Sequence, residues 1–246
     1  MRKIAFINAK GGVAKTTSCV NVGAGLALMG YRTLLLDLDT QGHVTKSLGV
    51  QAGEGLAELV QGDAGLEEVQ IEARENLFVI AGGGTLSGVK RLISRRDMRS
   101  EMVLSEALGD LRGYDFVLVD TAPSWDVLNV NCLFYADELL IPVSMEVLSL
   151  QGIGDFLDRV DQVQRYRGGL RVLGIIPTFY DGRVKKSAEI LEQLKRYFSD
   201  SLWPPVRYNT RLSEAPGFGQ HIFEHAKNSN GAADYASLAE RLAKGG

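Results

Sequence analysis

Cysteine is nearly absent. The chain of 246 residues has two, Cys19 and Cys132, far apart and outside any Cys-x-x-Cys pattern. A disulfide scaffold and a four-cysteine zinc site are excluded, and a reducing cytoplasm fits. Long apolar runs are missing too. The run Ile4–Ile7 after the basic N-terminal residues is four residues long, against the ~7–15 of a signal peptide. The longest uncharged run, Thr16–Tyr31, has 16 residues and is broken by Ser18, Asn21 and three glycines. A spanning helix needs ~20 mainly apolar residues, so no membrane association is expected. The three histidines, His43, His221 and His225, offer no ligand pairing beyond the i, i+4 spacing of the last two. With no helix expected there, they are read as surface or satisfied side chains. No Ser–His–Asp arrangement, internal repeat, low-complexity tract or linker is present.

Glycine, in contrast, is abundant: 28 residues, about 11% of the chain, against ~7% usual. Hydrophobic residues at 45% and charged residues at 23% are ordinary globular values. The net charge of −3 excludes a wholly basic nucleic-acid coat but not a local basic patch. One such patch is clear. Arg159–Arg211 carries a local charge of +6, and Lys90–Arg99 is a second basic knot with five basic residues and one acid.

Short apolar runs alternate with amphipathic ones. Strands are expected at Lys3–Asn8, Thr33–Leu38, Leu77–Ala81, Phe116–Asp120, Glu138–Val143 and Val172–Pro177, with a weaker seventh near Trp203–Val206. Their continuous hydrophobicity predicts a mostly parallel sheet covered on both faces. Helices are expected at Lys15–Met29, Ser100–Leu111, Val127–Tyr135, Leu148–Tyr166, Val184–Phe198 and Ala232–Ala243. The pattern predicts a doubly wound α/β fold of P-loop type, with helices on both faces and a single domain over 1–246.

The first strand runs into Ala-Lys-Gly-Gly-Val-Ala-Lys-Thr-Thr and then a helix. This order suits a phosphate site, because glycines let backbone N–H groups approach phosphate oxygens and the helix adds its positive end. Gly11, Gly12, Val13 and Ala14 form the cradle, and Thr17 follows it. Lys15 supplies charge to the β- and γ-phosphates, and Thr16 offers its hydroxyl to Mg²⁺. The standard pattern GxxxxGK[ST] fails, since Ala9 and Ala14 hold both outer glycine positions. The sequence fits KGGxxK[ST] instead, which adds Lys10 at the loop entrance. That lysine is placed to reach the phosphates of a facing subunit, as an arginine finger does. Three acids complete the site. Asp120 closes the apolar run Phe116–Val119 in Walker B form and, with Thr16, is assigned to the metal. Asp39 is also placed near the metal and is the candidate to orient the attacking water. Asp37 is assigned to bracing the loop lysines or the metal's water shell. Gly42 and Pro123 fit two loops that sense the γ-phosphate.

These motifs, with Leu-Leu-Leu-Asp-Leu-Asp-Thr-Gln-Gly, the segment ADELLIPVSMEVLSLQG and TRLSEAPGFGQHIFEH, resemble the ParA/Soj partition ATPases of the deviant Walker A (MinD/ParA) superfamily. The resemblance runs almost end to end. Because the phosphate loop starts at residue 10, it resembles the short form without an operator-binding helix-turn-helix. The resemblance implies a cytoplasmic, nucleoid-associated enzyme using ATP and Mg²⁺, weakly active alone. It implies an ATP-sandwich homodimer, non-specific binding to double-stranded DNA, and a ParB-type centromere-binding protein that stimulates hydrolysis. Thr40 stands where the family usually has proline. Arg207-Tyr208-Asn209 stands where relatives read Pro-Arg-Asn, a region that helps hold adenine in them, and Thr178 is a further base candidate. For DNA, Arg183 and Arg211 match the family's contacting positions, whereas Lys185, Lys186, Lys195, Arg196 and Arg207 are candidates by charge. A MinD-like membrane ATPase is the rival reading. The tail, however, with Tyr235, Leu238 and Leu242 among alanines, reads as a helix packed on the body. An iron–sulfur carrier is disfavoured because both cysteines read as core, and a kinase or synthetase because no acceptor motif is found.

Overall fold

A strand that is apolar on both faces needs cover on both, and this chain supplies it from alternate crossings. The computed structural model describes residues 1–245, apart from the side chains of 147–151. The strands are β1 (Arg2–Phe6), β2 (Thr33–Asp37), β3 (Gln70–Arg74), β4 (Leu77–Ile80), β5 (Phe116–Asp120), β6 (Glu138–Ser144) and β7 (Arg171–Thr178). The helices are α1 (Lys15–Leu28), α2 (His43–Ser47), α3 (Leu56–Gln61), α4 (Leu66–Val69), α5 (Leu86–Ser94), α6 (Val103–Ala107), α7 (Val127–Tyr135), α8 (Val147–Arg167), α9 (Lys185–Phe198), α10 (Thr210–Glu214), α11 (Ile222–His225) and α12 (Asn230–Ala243). One sheet results, in the order β3-β4-β2-β5-β1-β6-β7. All neighbours are parallel except β3, which pairs antiparallel with β4.

Period-2 alternation divides each central strand between two cores. Leu34 and Leu36 of β2 and Val117 and Val119 of β5 face α5, α6, α7 and α8, while Leu35 and Leu118 face α1 and α12. Strand register also gathers the acids. Phe6 and Asp37 both lie beside Asp120. The loop after β1 and two of the three acids therefore meet at the carboxyl ends of the central strands, where such folds bind ligands.

Six expected strands are present, with ends shifted by a residue or two. The seventh is not where the sequence placed it. The segment after Ser201 runs along β7, and the N–H groups of Trp203, Val206 and Tyr208 donate to Ile175, Pro177 and Tyr180 at 2.8–2.9 Å. Pro204 and Pro205 have no N–H to give, so only isolated bridges form. The seventh strand is instead β3, a polar edge strand with no buried alternation for the sequence to show. The expected helix Ser100–Leu111 is a 3-10 turn, Ser100–Met102, followed by the short α6. There the Leu104 N–H donates to the Asn131 side chain at 3.1 Å, not to a helical carbonyl. α12 packs on α1 with Tyr235, Leu238 and Leu242 fully buried, as the tail's composition suggested. Among the described residues no helix is long and apolar enough to cross a membrane.

Candidate functional site

The loop between β1 and α1 is held from behind. Asn8 donates from Nδ2 to the Pro142 carbonyl at 2.8 Å and accepts the Lys10 N–H at 3.0 Å. Gly12 has φ +70° and Ala14 has φ +65°, ψ +35°. The backbone at Ala14 thus keeps the left-handed turn for which the standard pattern places glycine, although alanine lacks glycine's freedom. Lys15 is buried, and its Nζ donates to the Lys10 carbonyl at 2.9 Å. Burial pulls its pKa below the usual lysine value, against the pull of Asp120 and Asp39. Above the loop lies a cavity of about 300 Å³ lined by Gly12–Thr17, Asp39, Thr121 and Pro123. The Lys10 ammonium pairs with Glu146 at 2.7 Å in this single chain.

The Thr16 hydroxyl donates to Asp120 Oδ2 at 2.6 Å. The other oxygen, Oδ1, is buried with no hydrogen-bond partner. Burial raises the Asp120 carboxyl well above its usual range, and neighbouring Asp37 adds to it. A buried acid with an orphaned oxygen beside a threonine hydroxyl fits a hard cation. Among the described residues no three His, Cys, Asp or Glu side chains gather as a metal site. Mg²⁺ needs only one or two protein oxygens, with phosphate and water as the rest, and Thr16 with Asp120 can offer them. Asp39 lines the same cavity, and its Oδ1 accepts the Gln41 N–H at 2.9 Å.

Among the described residues Asp37 has no hydrogen bond or ion pair to Lys15 or Lys10, and its bonds are to backbone. Its carboxylate accepts the N–H groups of Asp39 and Val44, at 2.9 and 3.1 Å, and so shapes the Asp39 loop from beneath. Burial raises its pKa to about 6 despite those two bonds. Gly82, after β4, closes the same corner. A Cβ there would lie 2.7 and 2.8 Å from the carbonyls of Asp37 and Asp39.

A second cavity of about 220 Å³ shares Ala14, Thr17 and Phe179 with the first and extends past Tyr208, Asn209 and Leu212. The base-side candidates are therefore contiguous with the loop. Thr178 is buried and donates to the Val13 carbonyl at 3.2 Å, so it holds the loop as well as lining the cavity. Asn209 caps α10 by accepting the Arg211 N–H. Arg207 forks onto Asp234 of α12, at 2.6 Å for the shortest pair. Phe179, with φ +57°, was missed by the sequence reading. Its only signal is its place at the carboxyl end of β7.

The other basic candidates are all exposed. Arg183 pairs with Asp181, Lys185 with Glu189, Lys195 with Glu192 and Arg211 with Glu214. Such exposed pairs are weak and exchange readily for another anion. The histidine expectation needs correction. His221 is buried above the short helix α11, near Glu224, and its Nδ1 has no partner. It is neither on the surface nor fully satisfied. Cys19 and Cys132 are fully buried with thiol pKa values pushed up by burial.

The strand–loop–helix, the buried lysine and the Thr16–Asp120 pair define a P-loop nucleotide-binding protein, and residues 1–171 match the AAA domain family. The chain is 38% identical over 244 residues to the chromosome-partitioning ATPase Soj of Thermus thermophilus, covering 98% of this chain and 95% of that one. It is 35% identical over 250 residues to the sporulation initiation inhibitor protein Soj of Bacillus subtilis, covering 99% and 98%. A solved Mycobacterium smegmatis structure described as cobyrinic acid a,c-diamide synthase, with an ATP analogue and magnesium, superposes with a TM-score of 0.85. It is 31% identical and covers 99% of this chain and 95% of its own. The chain belongs to the Soj/ParA family of partition ATPases.

Proposed function

We propose that this chain hydrolyses ATP with Mg²⁺, slowly by itself, and that ATP joins two copies into a dimer that binds duplex DNA without sequence preference. A ParB-type centromere-binding protein then stimulates turnover and releases the DNA. The observation that carries the reading is the loop itself. A buried Lys15 and Thr16 line one cavity that continues toward Tyr208 and Asn209, Thr16 donates to the buried Asp120 beneath it, and a second lysine, Lys10, stands at the start of the loop.

The roles follow from placement. Backbone N–H groups of 11–17 and Lys15 bind the phosphates. Thr16 and Asp120 would hold the metal, with Asp39 lining the same cavity, and a bound metal would supply charge compensation to the triphosphate. Asp39 holds the attacking water. Asp37 and Gly82 hold the Asp39 loop in position. Lys10 exchanges Glu146 for a phosphate of the facing copy. Phe179, Tyr208, Asn209 and Thr178 form the base side. Arg183, Lys185, Lys186, Lys195, Arg196 and Arg211 form a DNA-backbone surface, with Arg207 at its margin tied to Asp234.

Sedimentation with a non-hydrolysable ATP analogue tests the dimer, and a salt titration of duplex binding tests the surface. Lys10→Ala is expected to bind nucleotide and remain monomeric. Arg183→Glu is expected to dimerise and lose DNA. A wild-type chain that stays monomeric when saturated with the analogue sinks the reading.

A further inference from the structure

The basic knot at Lys90–Arg99 has no part in the site above, yet the segment Gly83–Lys90 that leads into it is bonded to both loops that border that site. α5 buries Leu86, Val89 and Ile93 in the core. Its outer side carries Arg91, Leu92 and Arg95, and the turn beyond it exposes Met98 and Arg99. Three of the five cations are neutralised: Lys90 by Asp126 at 2.6 Å, and Arg96 and Arg99 by Glu106 at 2.7 and 3.2 Å. Arg91 and Arg95, one turn apart on the same side, have no ion pair among the described residues. Met98 is 78% exposed and Leu92 37%.

Two connections run inward. Lys90 holds Asp126, which caps α7 by accepting the N–H groups of Leu128 and Asn129 and ends the Pro123 loop. In the turn preceding α5, the Gly83 N–H donates to the Asp39 carbonyl at 3.0 Å. α5 and the turn before it are therefore bonded to both loops that border the phosphate cavity.

We propose that Arg91, Leu92, Arg95, Met98 and Arg99 form a docking surface for an acidic amphipathic segment of a partner protein, and that its binding alters turnover through Lys90–Asp126 and Gly83–Asp39. The chemistry selects this occupant. A nucleic-acid backbone or an anionic membrane is held by many cations at once, on the order of four to ten. Only two are unpaired here, and a backbone offers nothing to Met98 and Leu92. Carboxylates matched to two arginines, with apolar residues between them, use the whole patch. The surface is also separate from the basic segment around α9. Five strand spacings divide β4 from β7, about 24 Å.

The test uses the full chain with Mg–ATP and a fluorescein-labelled synthetic helical peptide with glutamates on one side and leucines beside them. Anisotropy is expected to show saturable binding. Arg91→Glu with Arg95→Glu is expected to weaken it about ten-fold, and Met98→Ser about three-fold. Arg165→Glu, a charge reversal on α8, leaves it unaltered. The peptide is expected to change phosphate release by the wild-type chain but not by Lys90→Met, which still binds it. The proposal is overturned by absent peptide binding, by equal loss in Arg165→Glu, or by a double variant that loses duplex or anionic vesicles in place of the peptide. An unchanged phosphate-release rate in the wild type overturns the coupling.

Discussion

The bond between Thr16 and Asp120 can be broken from either end, and the two ends are expected to respond with opposite signs. Asp120 is fully buried, its Oδ1 is unpartnered, and its Oδ2 depends on the Thr16 hydroxyl at 2.6 Å. Thr16→Val keeps shape and removes that hydroxyl, leaving the acid with no donor. A hydrogen bond to a charged group contributes about 1.5–3 kcal/mol, so the nucleotide-free chain is expected to lose about 2 kcal/mol, or about 4–8 °C in Tm. Asp120→Asn instead removes the buried charge and keeps an oxygen and an amide for Thr16. Burial already holds this carboxyl well above its usual pKa, so relieving the charge leaves the free chain as stable or more stable. With Mg–ATP both variants are expected to lose the ligand-induced rise, which reaches about 2.7 kcal/mol for wild type at a hundred-fold excess over Kd. Thr16→Ser restores both properties. Differential scanning fluorimetry with and without Mg–ATP reads all four proteins. Equal destabilisation of the free chain by both substitutions, or a full Mg–ATP shift in Asp120→Asn, refutes the assignment.

Three further outcomes are expected. Gly82→Ala drives a methyl against the carbonyls of Asp37 and Asp39 and the Asp37 carboxyl carbon. It is expected to cost about 1–3 kcal/mol and to lower phosphate release beyond what lost folding explains. Retained turnover in the folded fraction removes Gly82 as a support of Asp39. Ala14→Gly relieves a left-handed alanine, worth about 1–2 kcal/mol, while freeing the unfolded chain by about 0.4–1 kcal/mol. Urea unfolding is thus expected to show equal or slightly greater stability, and a loss above about 1 kcal/mol contradicts the strain argument. Burial, against the pull of Glu224 and helped by the Arg74 charge, lowers the His221 pKa below 6.5. The unfolded chain then binds the proton first, so stability drops as pH falls from 6.5 through the lowered folded value. His221→Gln is expected to flatten that part of the curve, and an unaltered slope assigns it elsewhere.

Much of the site was legible because its residues announce themselves through neighbours along the chain. A strand, two glycines, two lysines and paired threonines lie within one short segment, and Asp120 ends an unbroken apolar run. The edge strand β3 was not legible, because half-buried polar residues carry no alternation. Nor were the short helices α2, α3, α4, α10 and α11, each too brief to show a period. Trp203–Val206 misled because apolar residues were read as a ladder that Pro204 and Pro205 cannot supply with donors. Phe179 showed only its place at the carboxyl end of β7, and the Asp37 carboxylate binds backbone N–H groups of Asp39 and Val44, which a hydrophobic pattern does not reveal.

By itself the sequence determined the strand–loop–helix with its pair of lysines, the doubly wound crossing pattern and the placement of apolar surface. These follow from local spacing and side-chain chemistry. Only the tertiary structure decided which acid holds which backbone. Parallel register sets Phe6 and Asp37 beside Asp120, buries all three, and leaves one Asp120 oxygen without a partner. Desolvation and register are properties of neighbouring strands, and no single segment carries them.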